Sequence, residues 1–177
     1  MENSLKVKSF DELVDKAQKM RTFQIVHNEL KKDFTSIYEI ALQNSDDLNN
    51  QSPLIRACVK ELFSLIEADL YLLNAFNPYP NYHDKTSFTE KLKKTFKQHA
   101  TIFDKAGLQY AFKSKYFKDL LNLKFIRDRT THPKGKESLI VTSEDLKLVN
   151  RFYLIYTKFI GAMMENVFVS VQLPLSL

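Results

Sequence analysis

The last long stretch of the chain limits the fold most. Leu146, Val149, Tyr153, Tyr156, Ile160, Met163 and Val167 recur every three or four residues, and Leu148, Phe152, Ile155 and Phe159 form a second, offset series. Only an α-helix sets residues at that spacing into continuous stripes. A helix apolar on two sides must be covered on two sides. One stripe is expected to face a bundle core and the other a second subunit. Lys158, Glu165 and Asn166 interrupt the run from Phe152 to Val169, which makes it too polar for a membrane span.

Helical spacing governs the rest of the chain as well. Ser9-Phe10-Asp11-Glu12 has the form of a capping box, in which serine and glutamate satisfy free N–H groups at a helix start. Leu13, Ala17, Met20, Phe23, His27, Leu30 and Phe34 follow on one face, and the pattern runs on through Ile37, Tyr38 and Ala41, with a break expected near Lys32-Asp33. The polar stretch 43–51 reads as a loop. Ser52-Pro53 reads as N-cap and first helical residue, opening a helix with Leu54, Ala57, Cys58, Leu62, Leu65, Ile66, Leu70 and Leu73 inward. Asn77-Pro78-Tyr79-Pro80-Asn81 is a loop. Ser87-Phe88-Thr89-Glu90 is a second capping box, ahead of Leu92, Phe96, His99 and Phe103, with Lys91, Lys93, Lys94 and Lys97 between them. Gly107 marks a turn and another helix is expected from about Ser114. Ser138 to Val141 reads as extended, and Thr142 or Ser143 as the cap of the final helix.

The expected class is therefore all-α: one antiparallel bundle of about five main helices over 1–177, with an N-terminal helical segment at 9–43 and the bundle proper at 52–177. Three glycines and five prolines are few for a turn-rich β protein. A chain of 177 residues buries roughly 70% of its unfolded surface and needs no disulfide or metal to hold a core. Cys58 is the sole cysteine, so no intramolecular disulfide can form, as expected in a reducing compartment. Met1 to Lys6 lack the apolar core of a signal peptide. Cytoplasmic placement, with no membrane partner, is the expectation.

Chemistry concentrates in Ile126-Arg127-Asp128-Arg129-Thr130-Thr131-His132-Pro133. The preceding run from Tyr116 is amphipathic, with Tyr116, Phe117, Leu120, Leu121 and Leu123 as its apolar stripe. At about 100° per residue, Arg127 falls roughly 20° from Tyr116, inside that stripe. A guanidinium there needs a partner such as Asp128, or a site or interface to point into. Pro133 pushes His132 out of the α region, which leaves it free to swing back toward Arg127. Between Phe112 and Lys136, eight basic residues face two acids, a local excess larger than the +5 net charge of the whole chain. A phosphate-bearing partner would be drawn there.

Arg127-Asp128-Arg129-Thr130-Thr131-His132 resembles the signature of the HEPN family (higher eukaryotes and prokaryotes nucleotide-binding domains): arginine, a polar residue, three variable residues, then histidine. The resemblance extends from about residue 50 to the end of the chain. It implies a homodimer paired through the motif helices, with both copies lining one cleft. It also implies metal-independent endoribonuclease activity of the toxin or host-defence type, with no cofactor and with an antitoxin protein as a further partner. Arg127, Asp128 and His132 would be catalytic, and Lys124, Arg129, Lys134 and Lys136 would hold RNA phosphates. Some toxins of the family carry a tyrosine two residues after the histidine, which a partner nucleotidyltransferase modifies. Lys134 occupies that position here, which puts such regulation in doubt. The alternatives are a non-catalytic RNA- or nucleotide-binding module and a helical interaction adaptor.

The remaining candidates read as structural. His27 and His99 lie on apolar helix faces, where a core histidine with one satisfied hydrogen bond is expected. His83 sits in a loop and reads as solvated. No histidine or cysteine pair has metal-ligand spacing, so no metal site is expected. Tyr79 and Tyr82 are the aromatics placed in a loop, where base stacking is an option; the others fall on helix stripes.

Overall fold

A computed structural model describes residues 9–44, 48–83, 85–103 and 115–170 of the chain. Among them are five α-helices and no strand. The helices are α1 (Phe10–Gln43), α2 (Leu48–Phe76), α3 (Phe88–Phe103), α4 (Lys115–Thr131) and α5 (Ser143–Ser170), with a 3-10 turn at Lys136–Leu139 between α4 and α5. Gly107, Ser114 and Met1 to Lys6 lie outside the described residues, as do the side chains of Phe103 and Val167.

Helix α2 touches all four others and supplies much of the core: Ile55, Cys58, Val59, Leu62, Leu65, Ile66, Leu70 and Leu73 are all fully buried or nearly so. Full burial of a side chain of this kind contributes about 1.5–3 kcal/mol. Pairings of Ala41 with Gln51 and His27 with Asp69 show α1 and α2 to be antiparallel. α4 and α5 are antiparallel too, joined by the Asp119–Arg151 ion pair. α3 instead ascends with α2: Phe88 packs on Phe63 at its start, and His99 meets Leu73 and Phe76 farther along. The eleven residues between α2 and α3 span up to about 36 Å when extended, enough to carry the chain back along a helix.

The serine half of each capping box forms. Ser9 Oγ accepts from the Glu12 N–H at 3.1 Å and Ser87 Oγ from the Glu90 N–H at 3.4 Å. Thr142 is the cap of α5: its carbonyl accepts from Asp145 and Leu146, while its own N–H donates to Asp145 Oδ2 at 2.9 Å.

Four expectations change. α1 runs unbroken for 34 residues; Lys32 and Asp33 are exposed, so the polar pair decorates its outer face. α2 starts at Leu48, ahead of Ser52-Pro53, and Pro53 lies inside the helix. Gln51 explains the early start, because it is buried and its Nε2 donates to the Ala41 carbonyl at 3.4 Å, closing the end of α1. Pro53 then costs α2 one backbone hydrogen bond. Of the expected extended segment, Ser138 and Leu139 belong instead to a 3-10 turn over 136–139, with Ser138 and Ile140 N–H groups donating to Gly135 and Glu137, while Ile140 is extended. Finally, the second stripe of α5 is largely covered within the chain: Phe152 is buried, Leu148, Ile155 and Phe159 are half-buried, and Phe96 meets Phe159 edge-on at 5.0 Å.

Candidate functional site

The motif helix α4 buries a face rotated from the expected one. Asp119, Leu120, Leu123, Ile126 and Thr130 point inward, whereas Tyr116, Leu121 and Phe125 are exposed, Leu121 by 41% and Phe125 by 68%. Two polar contacts fix the rotation. Buried Asp119 accepts from Arg151 Nε and Nη2 on α5 at 3.0 and 2.9 Å, and Thr130 Oγ1 donates back to the Ile126 carbonyl at 2.8 Å. The apolar surplus expected on α5 therefore appears on α4.

Arg127 is half-buried, as its place on the wheel suggested, but Asp128 is its lesser partner. Arg127 Nη2 donates to Glu67 Oε1 at 2.7 Å, and the guanidinium carbon stands 5.2 Å from the centre of the Phe63 ring. Both partners lie on one face of α2, four residues apart. Asp128 Oδ1 is 3.7 Å from Arg127 Nη1, and its other oxygen is taken by Lys124. Two bases and two acids thus make a locally neutral group on a partly wet surface. Separation of 60 residues hid Glu67 from the reading of spacing; its only trace in the sequence is that α2 carries just three acids, Glu61, Glu67 and Asp69.

His132 ends α4. Its N–H donates to the Asp128 carbonyl at 3.1 Å and its side chain is exposed. Among the described residues, no hydrogen bond or ion pair joins its imidazole to Arg127 or Asp128. The swing back toward Arg127 is absent because Arg127 turns inward to Glu67.

The basic turn after the motif is held by two arginines. Arg129 Nη1 donates to the Ser138 carbonyl at 2.9 Å, and Arg56 Nη1 donates to the next carbonyl, Leu139, at 3.0 Å and to Ser52 Oγ at 2.9 Å. Ser138 Oγ accepts from the Lys134 N–H at 3.3 Å. Lys134 and Lys136 are exposed on this fixed turn. Arg129 is thus at least partly a structural group. Arg56 was not anticipated, because the Leu139 carbonyl it meets lies 83 residues away in the chain.

The core histidines behave as expected. His27 Nδ1 lies 3.0 Å from both oxygens of Asp69, which is 0% exposed, and Tyr156 donates its hydroxyl to the same carboxylate at 2.7 Å. Burial raises the Asp69 pKa, while the hydrogen bonds from His27 and Tyr156 oppose the rise; burial and the neighbouring carboxylate push Tyr156 well above its usual value. His99 Nε2 is 3.2 Å from the Leu73 carbonyl, so that nitrogen carries the hydrogen. Burial brings His99 down to about 4, and raises Cys58 to about 12, which makes a reactive thiolate unavailable. Exposed His83 accepts from the Lys85 N–H at 3.0 Å. Tyr79 is 4% exposed and meets Tyr82 edge-on at 5.3 Å; its ring is packed away and offers no stacking platform.

No group of three or more His, Cys, Asp or Glu among the described residues could hold a metal ion, and no helix there is long and apolar enough to cross a membrane. In comparisons with known proteins, no family model, no curated protein and no solved structure matches the chain.

Proposed function

We propose that the chain is a HEPN-type endoribonuclease that cleaves RNA without a metal, in a cleft shared by two copies, and acts in the cytoplasm. One observation carries the reading: Arg127 and His132 end the same helix but do not meet within one protomer. A second copy, docked through the exposed Leu121 and Phe125 of α4, would bring two Arg127–His132 sets to one cleft. In the proposed reaction His132 takes the proton of a ribose 2′-OH as that oxygen attacks its own phosphorus. The P–O5′ bond breaks, and the leaving O5′ takes a proton from the partner subunit's His132, giving a 2′,3′-cyclic phosphate and a 5′-OH. Arg127 stabilises charge on the phosphorane oxygens. Lys124, Lys134 and Lys136 position phosphates, with Arg129 holding the turn.

The second reading is a non-catalytic RNA- or nucleotide-binding module. Glu67 favours it, because the Arg127 guanidinium already has a carboxylate partner at 2.7 Å. Incubating the wild type and His132→Ala with mixed RNA in EDTA separates the two readings. Specific fragments ending in a cyclic phosphate, lost in the variant, support the nuclease. Salt-sensitive binding without fragments supports the module.

A further inference from the structure

A pocket of about 240 Å³ opens between the loop after α2 and the middle of α3, lined by Tyr79, Pro80, Lys94, Lys97 and Gln98. It is a built feature. Pro80 and Asn81 occupy the centre of a tight turn closed by the Tyr82 N–H donating to the Tyr79 carbonyl at 3.1 Å. Asn81 has φ 60°, a left-handed conformation that asparagine tolerates better than most residues. Beneath the turn, buried Asn74 donates to the Leu70 carbonyl at 2.7 Å and to Thr95 Oγ1 at 2.6 Å, and accepts from the Tyr79 N–H at 3.4 Å. The loop is thereby tied to both flanking helices.

The polar groups around this pocket are rich in donors. Lys94 Nζ stands 5.6 Å over the Tyr79 ring and Lys91 Nζ 5.6 Å over the Tyr82 ring. Lys94 shares its ammonium with Glu90 at 2.7 Å, and Lys97 brings a second ammonium to the pocket wall. The Tyr79 hydroxyl is buried without an acceptor among the described residues. Buried donors left unmet are costly. Ammonium groups, the Gln98 amide and an orphaned hydroxyl together call for a ligand made of acceptor oxygens and negative charge. A phosphate ester supplies both, and at about 30 Å³ per water the volume exceeds what a bare oxyanion needs.

We propose that this pocket is a phosphate site, taking the phosphate of a nucleotide or of an RNA strand between Lys94, Lys97, Gln98 and Tyr79. It is separate from the Arg127 cluster: the nine steps of α2 from Glu67 to its last residue, Phe76, correspond to about 14 Å along the helix axis. The proposal stands whether or not the motif cleaves RNA.

The test is a titration of the whole chain followed by backbone amide NMR at constant ionic strength, with inorganic phosphate, 5′-AMP, adenosine, a short single-stranded RNA and chloride as separate arms. Saturating shifts at Tyr79, Lys94, Lys97 and Gln98 are expected with the phosphate-bearing probes, and none with adenosine. Lys94→Gln with Lys97→Gln should weaken binding about tenfold, as fits the loss of charge-assisted contacts. Tyr79→Phe should weaken it about threefold without lowering Tm, which separates a ligand contact from a folding defect. Arg127→Ala should leave the shifts that inorganic phosphate and 5′-AMP produce at Tyr79, Lys94, Lys97 and Gln98 unchanged. Tighter binding of AMP than of inorganic phosphate assigns a nucleotide; tighter binding of the RNA than of AMP assigns a strand. Shifts that match those of chloride, or affinity unchanged in the double variant, overturn the site.

Discussion

Asp69 and Asp128 show what burial does to a carboxylate with basic neighbours. Asp69 is sealed in the core, and His27 and Tyr156 occupy its oxygens from two other helices. That arrangement ties α1, α2 and α5 together. Asp128 sits half-exposed at the end of α4, between Lys124 and Arg127, with His132 open to solvent four residues on. Its contacts are short-range, screened by water and exchangeable. Closed polar groups hold the fold, whereas open ones can trade a protein partner for a ligand. The Asp69 group should therefore answer in stability, and the Arg127 group, if the proposed nuclease is correct, in RNA chemistry.

Asp69→Ala should have the largest effect on stability. It leaves His27 and Tyr156 without their acceptor, and stranding buried partners in this way costs about 3–5 kcal/mol. For a chain of this size that corresponds to a fall in Tm of about 10 °C, measurable by calorimetry. A fall no larger than that of an exposed Asp→Ala change would mean that the buried group is not closed.

His99 sharpens the same side of the comparison through pH. Its folded pKa of about 4 lies below the usual value near 6.5, so the fold favours the neutral ring. The unfolded chain binds the extra proton first, and stability is lost as pH falls from about 6.5 to about 4. The loss attributable to His99 is about 3 kcal/mol at the acid end. Denaturant midpoints of the wild type and His99→Phe across that range isolate it, because any change due to Asp69 is common to both. Parallel pH profiles would show that His99 is not held neutral.

The motif residues should behave in the opposite way. Arg127→Ala removes a half-exposed ion pair, worth about 1 kcal/mol or less, and His132→Ala removes an exposed ring, worth less than about 0.5 kcal/mol. If the proposed nuclease is correct, each change should nevertheless lower the cleavage rate by about a hundredfold or more. Tm and fragment yield measured on the same samples test this. A marked drop in Tm with cleavage unchanged would move the motif to the structural side.

The sequence made helix existence and inward faces legible wherever one apolar stripe met one cap. Ser9 and Ser87 both cap their helices as read, each accepting from the N–H three residues on. It misled where two physical demands compete. Ser52-Pro53 has the form of a helix start, but the need to cover the end of α1 with Gln51 starts α2 earlier. Tyr116 and Leu121 were expected to face inward and yet are exposed, because the Asp119–Arg151 pair sets the rotation of α4. The local motif was visible because Arg127 to His132 are neighbours in the chain. Glu67, Phe63 and Arg56 were not, since periodicity within one helix says nothing about which residue of another helix faces it.

Glu67→Gln should have the smallest effect and gives the finest discrimination. A glutamine oxygen can still accept from Arg127 Nη2, so the Phe63 contact and the rotamer are expected to survive, with stability changed by less than about 0.5 kcal/mol. What disappears is one negative charge at 2.7 Å from the guanidinium. If RNA phosphate takes the place of Glu67 in the bound state, the variant should bind RNA about two- to fivefold more tightly, with a slightly steeper dependence on salt. Filter binding of a fixed RNA over a salt series provides the measurement. Unchanged affinity and slope would place Arg127 away from the RNA and make it a helix-packing residue like Arg151. Tighter binding with slower cleavage would give Glu67 a different role, that of orienting the guanidinium toward the reacting phosphate.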